Sequence, residues 1–111
     1  MDLRRPETIF AAVKKLTSLT TMLNHWVCCT GYLHGAFGSP EKALKALESE
    51  KILGDFAVNS VGPLMMFQAC MSILKAAPLP KAVFLSAQVG SIEDNRSGGW
   101  YGYRMLSLIH I

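Results

Sequence analysis

Three stretches hold residues whose types could do chemistry: "VNSVGPL" with Asn59, "FLSAQVGSI" with Ser86 and Ser91, and "GGWYGYR" with Tyr101 and Tyr103. A phenol can pass a proton to an oxygen. Its pKa of about 10 makes that transfer inefficient near neutrality unless a cation stands close. Four residues after Tyr103, position 107 is a serine. Each residue also has an ordinary reading: Tyr103 as a packing aromatic, Asn59 as a helix cap ahead of Pro63, Ser86 and Ser91 as turn hydrogen-bonders. No metal centre is expected, because His25, His34 and His110 make no zinc-spaced pair with Cys28, Cys29 or Cys70. "TGYLHGAFG" comes close to a phosphate-cradling glycine loop, but Phe37 stands where backbone would have to approach the phosphates.

The elements that must position these residues follow from periodicity. Pro6 and Glu7 suit a first helical turn, and Ile9, Val13, Leu16, Leu19 and Leu23 recur at helical spacing, so a helix is predicted from about Pro6 to Met22. "HWVCC" is too short for a helix and reads as a buried strand. After the glycine-rich loop, Ser39 and Pro40 mark a helix start, and helical segments run on through Phe56, with Gly54 at a bend. Residues 59–76 read as a helix whose polar positions Gln68, Ser72 and Lys75 form one narrow stripe, hence a helix buried on most sides. "KAVFLS" is a continuously apolar strand of the kind found in parallel sheets, and "WYGYRM" opens a further helix. The alternation predicts an α/β fold with a parallel sheet. Two strands alone do not make a stable sheet, so the pattern implies that further strands belong to it.

The chain has 111 residues, half of them hydrophobic, and a mean hydropathy of +0.27. That is apolar for a small free-standing domain. A membrane span is not expected, since Gly62-Pro63, Gln68 and Lys75 interrupt the most apolar stretch. "MDLRRPETIF" has no signal-peptide core, and a cytoplasmic location is the expectation. Three cysteines fit it as buried thiols. The net charge of +3 comes from short pairs, Arg4-Arg5 and Lys14-Lys15, which speaks against nucleic-acid binding.

Taken in order, "VNSVGPL", "FLSAQVGSI" and "GGWYGYR" resemble the short-chain dehydrogenase/reductase family, close to its C-factor-like members. The resemblance covers nearly all of residues 2–105. It implies part of a Rossmann-like doubly wound parallel sheet: strands 4 and 5 with flanking helices, the first three strands and the C-terminal part lying outside this chain. It implies an NAD- or NADP-dependent oxidoreductase interconverting a small carbonyl and an alcohol, and a homo-oligomeric parent. Tyr103 takes the place of the acid/base, which in the family has a lysine four residues on to lower its pKa, and Asn59 that of an asparagine in a distorted helix, where it holds a water linked to that lysine. Ser86 is the first choice for the reactive serine and Ser91 the second, because the family's usual second adjacent serine is Ala87 here. Cofactor contacts map to Asp2 at the adenine edge, and to Cys28 and Gly31 in the segment where the family has Asn-Asn/Ala-Ala-Gly. The asparagine that ties that strand is absent.

The pattern breaks after Met105. Ser-Lys-Ala-Ala is expected, and "LSLIHI" is found. CTG TCT CTT ATA CAC ATC encodes those six residues, and that string resembles a transposon end used in preparing sequencing libraries. Residues 1–105 are therefore expected to be a partial domain and 106–111 an adapter-derived tail. The fragment itself is expected to be inactive and to bind no cofactor well. The competing reading is a non-catalytic pseudoenzyme or interaction fragment that associates through the apolar helix 59–76.

Overall fold

The computed structural model of the chain describes residues 1–35, 38–94, 96 and 98–107. They fall into two compact units. One comprises Met1–Cys29 and Val61–Leu85; the other comprises Thr30–Ser60 and the described residues from Ser86 on. In chain order the main elements are α1 (Pro6–Thr17), β1 (His25–Cys28), α2 (Ser49–Phe56), a π-helical turn (Ala57–Val61), α3 (Gly62–Lys75), β2 (Lys81–Phe84) and α4 (Tyr101–Ser107). Short 3-10 turns lie at Leu44–Ala46 and Gln88–Gly90.

In the first unit, β1 and β2 pair in parallel, with His25, Trp26, Val27 and Cys28 opposite Lys81, Ala82, Val83 and Phe84. Alternation puts Trp26, Cys28 and Phe84 on one face of this ribbon. There Trp26 packs against Phe84 and Phe67 at ring-centroid distances of 4.9 and 5.3 Å. Val13 of α1 and Cys70, Ile73 and Leu74 of α3 complete that core. Val27 and Val83 point to the other face and are about half exposed.

Helix α1 starts on Pro6, as expected, but stops at Thr17. Thr17 and Ser18 turn their hydroxyls back onto the carbonyls of Lys14 and Lys15, and Thr20 closes a turn onto Met22. Such side-chain bonds compete with helix continuation. Helix α3 presents Gln68, Ser72 and Lys75 to solvent, the stripe read from sequence. Leu64 is exposed too, so the helix is less enclosed than the pattern implied. The helical run Ser49–Lys75 is long and apolar enough to cross a membrane by length and composition alone. Its apolar positions Cys70, Ile73 and Leu74 are core residues of the first unit. Cys28 and Cys70 are buried thiols, whereas Cys29 is exposed.

In the second unit no helix starts at Pro40; after the 3-10 turn at Leu44–Ala46, α2 begins at Ser49. Glu41 is buried there by contacts of its own, described below, and does not enter a helical turn. The helix does not bend at Gly54; the irregularity lies in the π turn that follows. Strand β2 ends at Phe84, short of Ser86.

Candidate functional site

Asn59 stands in the middle of the π turn, buried, and not at a helix cap. Wider turns of this kind recur at functional positions in helices. Its side-chain amide closes a two-way bond with the backbone of Tyr32. Oδ1 accepts from the Tyr32 amide at 2.6 Å, and Nδ2 donates to the Tyr32 carbonyl at 2.7 Å. A residue far along the chain thereby fixes the segment next to Gly31. A Cβ on Gly31 would meet only Asn59 Oδ1, at 3.9 Å, among the described residues. Packing does not demand a glycine there, and the exposed backbone is open to close approach.

The glycine-rich segment beyond Tyr32 is a tight reversal. Gly35 and Gly38 exchange backbone hydrogen bonds of 2.9 and 3.0 Å, both with left-handed φ. No helix follows directly, so this loop lacks the helix N-terminus on which a phosphate cradle relies. Phe37, which marks the mismatch in sequence, lies outside the described residues.

Tyr103 lies on α4, half-buried, with its ring edge-on to Trp100 at 6.4 Å between centroids. Gly98, Gly99 and Trp100 all have positive φ, which is unusual for a bulky residue such as Trp100. The conformation is held from two sides. The Trp100 amide donates to the Glu41 carbonyl at 2.6 Å, and the Arg104 guanidinium donates to the carbonyls of Val89, Gly98 and Gly99.

Ser107, the residue at the expected lysine position, donates its hydroxyl to the Tyr103 carbonyl at 2.9 Å. Ser86 in turn donates to the Ser107 carbonyl at 2.9 Å. Ser86 is thus tied to the last turn of the tyrosine helix. Gly90 packs so closely on this turn that a Cβ there would stand 2.7 Å from Ser107 Cβ. Ser91 accepts from the Asp94 amide at 3.2 Å, an ordinary turn contact. Leu106, the first residue beyond the family-like pattern, is buried in α4; Leu108–Ile111 of the same stretch lie outside the described residues.

Asp2 and Cys28 belong to the other unit. The Arg4 guanidinium grips the Asp2 carboxylate with bonds of 2.8 and 3.0 Å, and that side chain together with the Arg4 amide holds its pKa at about 2. The Asp2 amide donates to Thr8 Oγ1 at 2.8 Å. Both groups serve the entry to α1. The Cys28 side chain faces the core with Trp26, so only its backbone could meet a ligand. Among the described residues no three His, Cys, Asp or Glu side chains gather in a way that could hold a metal ion.

Sequence reasoning missed a buried charged cluster. Lys51 Nζ lies 2.6 Å from Asp55 Oδ2 and 3.2 Å from Glu41 Oε1, with all three side chains nearly enclosed. Burial pushes the Glu41 carboxyl up, but its own backbone amide and Lys51 outweigh that and hold it below the usual range. Burial pulls Lys51 down, but its bonds to Asp55 and Glu41 raise it overall. The i,i+4 spacing of Lys51 and Asp55 was visible in sequence; nothing in the chain pattern pointed to Glu41.

No family model matches the chain. It is 28% identical over 102 residues, 92% of its length, to a vibriobactin-specific 2,3-dihydro-2,3-dihydroxybenzoate dehydrogenase from Vibrio cholerae, of which it spans 36%. It is 34% identical over 50 residues, 45% of its length, to the C-signal protein of Myxococcus xanthus, of which it spans 30%. Among solved structures, the carbonyl reductase Sniffer of D. melanogaster superposes over 98% of this chain and 47% of its own, with a TM-score of 0.84 and 24% identity. A protein from Burkholderia multivorans described as a short-chain dehydrogenase/reductase, with bound NADP, matches over 98% of this chain and 44% of its own, with a TM-score of 0.78 and 19% identity. The chain therefore spans about a third of these curated relatives and under half of these structural ones. Its sequence and structure neighbours are short-chain dehydrogenases/reductases, and it carries part of their α/β fold.

Proposed function

We propose that this chain is part of an NAD(P)-dependent short-chain oxidoreductase that interconverts a small carbonyl compound and an alcohol. The observation that carries the reading is Asn59, set in a π turn and bonded both ways to the Tyr32 backbone beside Gly31, in a chain whose relatives include dehydrogenases and a carbonyl reductase. The exposed backbone at Gly31, fixed in place by Asn59, fits a cofactor that must come close to the main chain. Adenine contact by Asp2 would use the lone pairs that Arg4 leaves on its carboxylate.

When bound, the nicotinamide supplies or accepts the hydride. The chain's own part is the proton. The Tyr103 hydroxyl gives it to the nascent alkoxide oxygen, and in the reverse direction takes it back. Ser86, or Ser91 in its place, donates a hydrogen bond to that oxygen as charge develops. Asn59 keeps the Gly31–Tyr32 segment in position. Ser107 offers the phenol no positive charge, so we propose that residues 1–111 are inactive alone; we also propose that Leu106–Ile111 derive from an adapter.

Fluorescence titration of the purified chain with NADH and NADPH is expected to show no binding in the micromolar range, and micromolar binding would overturn the inactive-fragment reading. The parent activity is tested on the longer reading frame recovered from the source DNA. That protein is expected to oxidise NAD(P)H with a small carbonyl, and Tyr103→Phe to lower the rate by about 10²–10⁴-fold. No such reaction, or a Tyr103→Phe protein of full activity, sinks the proposal. A non-catalytic role through helix 59–76 is the second reading, favoured by the exposed Val61 and Leu64. The same surface is our candidate for homo-oligomer contact in the parent.

A further inference from the structure

We propose that Glu41, braced by Lys51 and Asp55, is a positioning residue for the helix that carries Tyr103; the catalytic meaning of this rests on the reading above. Glu41 meets the start of α4 twice. Its backbone carbonyl accepts the Trp100 amide at 2.6 Å, and its Oε2 accepts the Gly102 amide at 3.4 Å. These amides belong to the residues on either side of Tyr101, at a helix end whose N–H groups otherwise lack partners. The contact spans 61 positions of sequence, so local propensity cannot supply it.

Charge explains why the carboxylate stays there. Two buried carboxylates share one ammonium, which leaves one negative charge without a full counter-charge. The first turn of a helix is where backbone dipoles favour such a charge. Close packing sets the depth. A Cβ on Gly102 would stand 3.3 Å from Glu41 Oε1 and 3.5 Å from Ile52 Cγ1 of α2, and one on Gly99 would stand 3.1 Å from the Glu41 carbonyl oxygen. Glycines at 99 and 102 thus let α4 seat directly on Glu41 and α2. Tyr103 follows Gly102 immediately, so its ring direction is set by this seat. Arg104 holds the loop from the other side, which keeps Trp100 in its left-handed conformation.

The test uses the purified chain, with hydrogen–deuterium exchange followed by mass spectrometry and near-ultraviolet circular dichroism of the Trp100–Tyr103 pair. In Glu41→Ala, exchange over residues 98–107 is expected to rise about tenfold, with α1 and α3 unchanged, as befits loss of a bond to a charged acceptor. The near-ultraviolet signal should fall with it. Glu41→Gln keeps an oxygen for the Gly102 amide and should restore much of both. Unchanged exchange in Glu41→Ala, a loss spread evenly over α1, α3 and α4, or no rescue by glutamine would overturn the proposal. Neither readout depends on nucleotide or turnover, so failure of the oxidoreductase reading would show in the assays described above and not here.

Discussion

Asn59 shows how one side chain can do the work of a secondary-structure contact. Both polar ends of its amide are matched to the two backbone groups of Tyr32. An alanine would leave the Tyr32 amide and carbonyl without that partner at a part-buried place. We expect Asn59→Ala to cost about 1–3 kcal/mol in urea unfolding, and Asn59→Asp to behave as badly, because an ionised carboxylate cannot donate to the carbonyl. A midpoint unchanged in both would show that the two-way bond contributes nothing. The resemblance singled out Asn59 in the sequence, whereas nothing there pointed to its partner. Tyr32 offers only its backbone, and a backbone group leaves no residue-type signal.

At the scale of elements, sequence periodicity located α1, both strands, α3 and α4, and misplaced the helix after the glycine-rich loop. The Ser39-Pro40 start signal was overridden by tertiary contacts of Glu41, which no local pattern contains. The same contacts make α4 sensitive to pH. Glu41 has a folded pKa below its ordinary value of 4.5, so its stabilisation is present above about pH 4.5 and is lost as pH falls through the lowered value. Lys51 has a folded pKa above 10.5, so its contribution is present below that pH and is lost as pH rises through the raised value. Asp2 and Glu7, whose carboxyls are also lowered, add to the acid limb. Comparison between proteins isolates the buried cluster: thermal unfolding of Glu41→Gln should lose less stability than the native chain as pH falls below 4.5, the ordinary value beneath which the folded carboxyl titrates. Parallel acid limbs for the two proteins would refute this.

For the whole molecule, the decisive feature is a mismatch between strand composition and strand surroundings. "HWVCC" and "KAVFLS" carry apolar residues on both faces, the composition of strands covered from both sides. Trp26, Cys28 and Phe84 have their cover from α1 and α3. Val27, Val83 and Leu85 do not: they are 54%, 45% and 55% exposed, and among the described residues each strand has a neighbour on one edge only. The two-strand ribbon is below the size at which sheets usually stand alone, and unpaired edges beside apolar side chains invite pairing between molecules. We therefore expect the purified chain to associate as its concentration rises, seen as an increasing weight-average sedimentation coefficient over the micromolar range. Val83→Lys places a charge on the exposed face without touching the Trp26 side, so it should suppress association while leaving the far-ultraviolet spectrum unchanged. A chain that stays monomeric throughout, or a Val83→Lys chain that associates as strongly as the native one, would mean that this face is not what drives the contact.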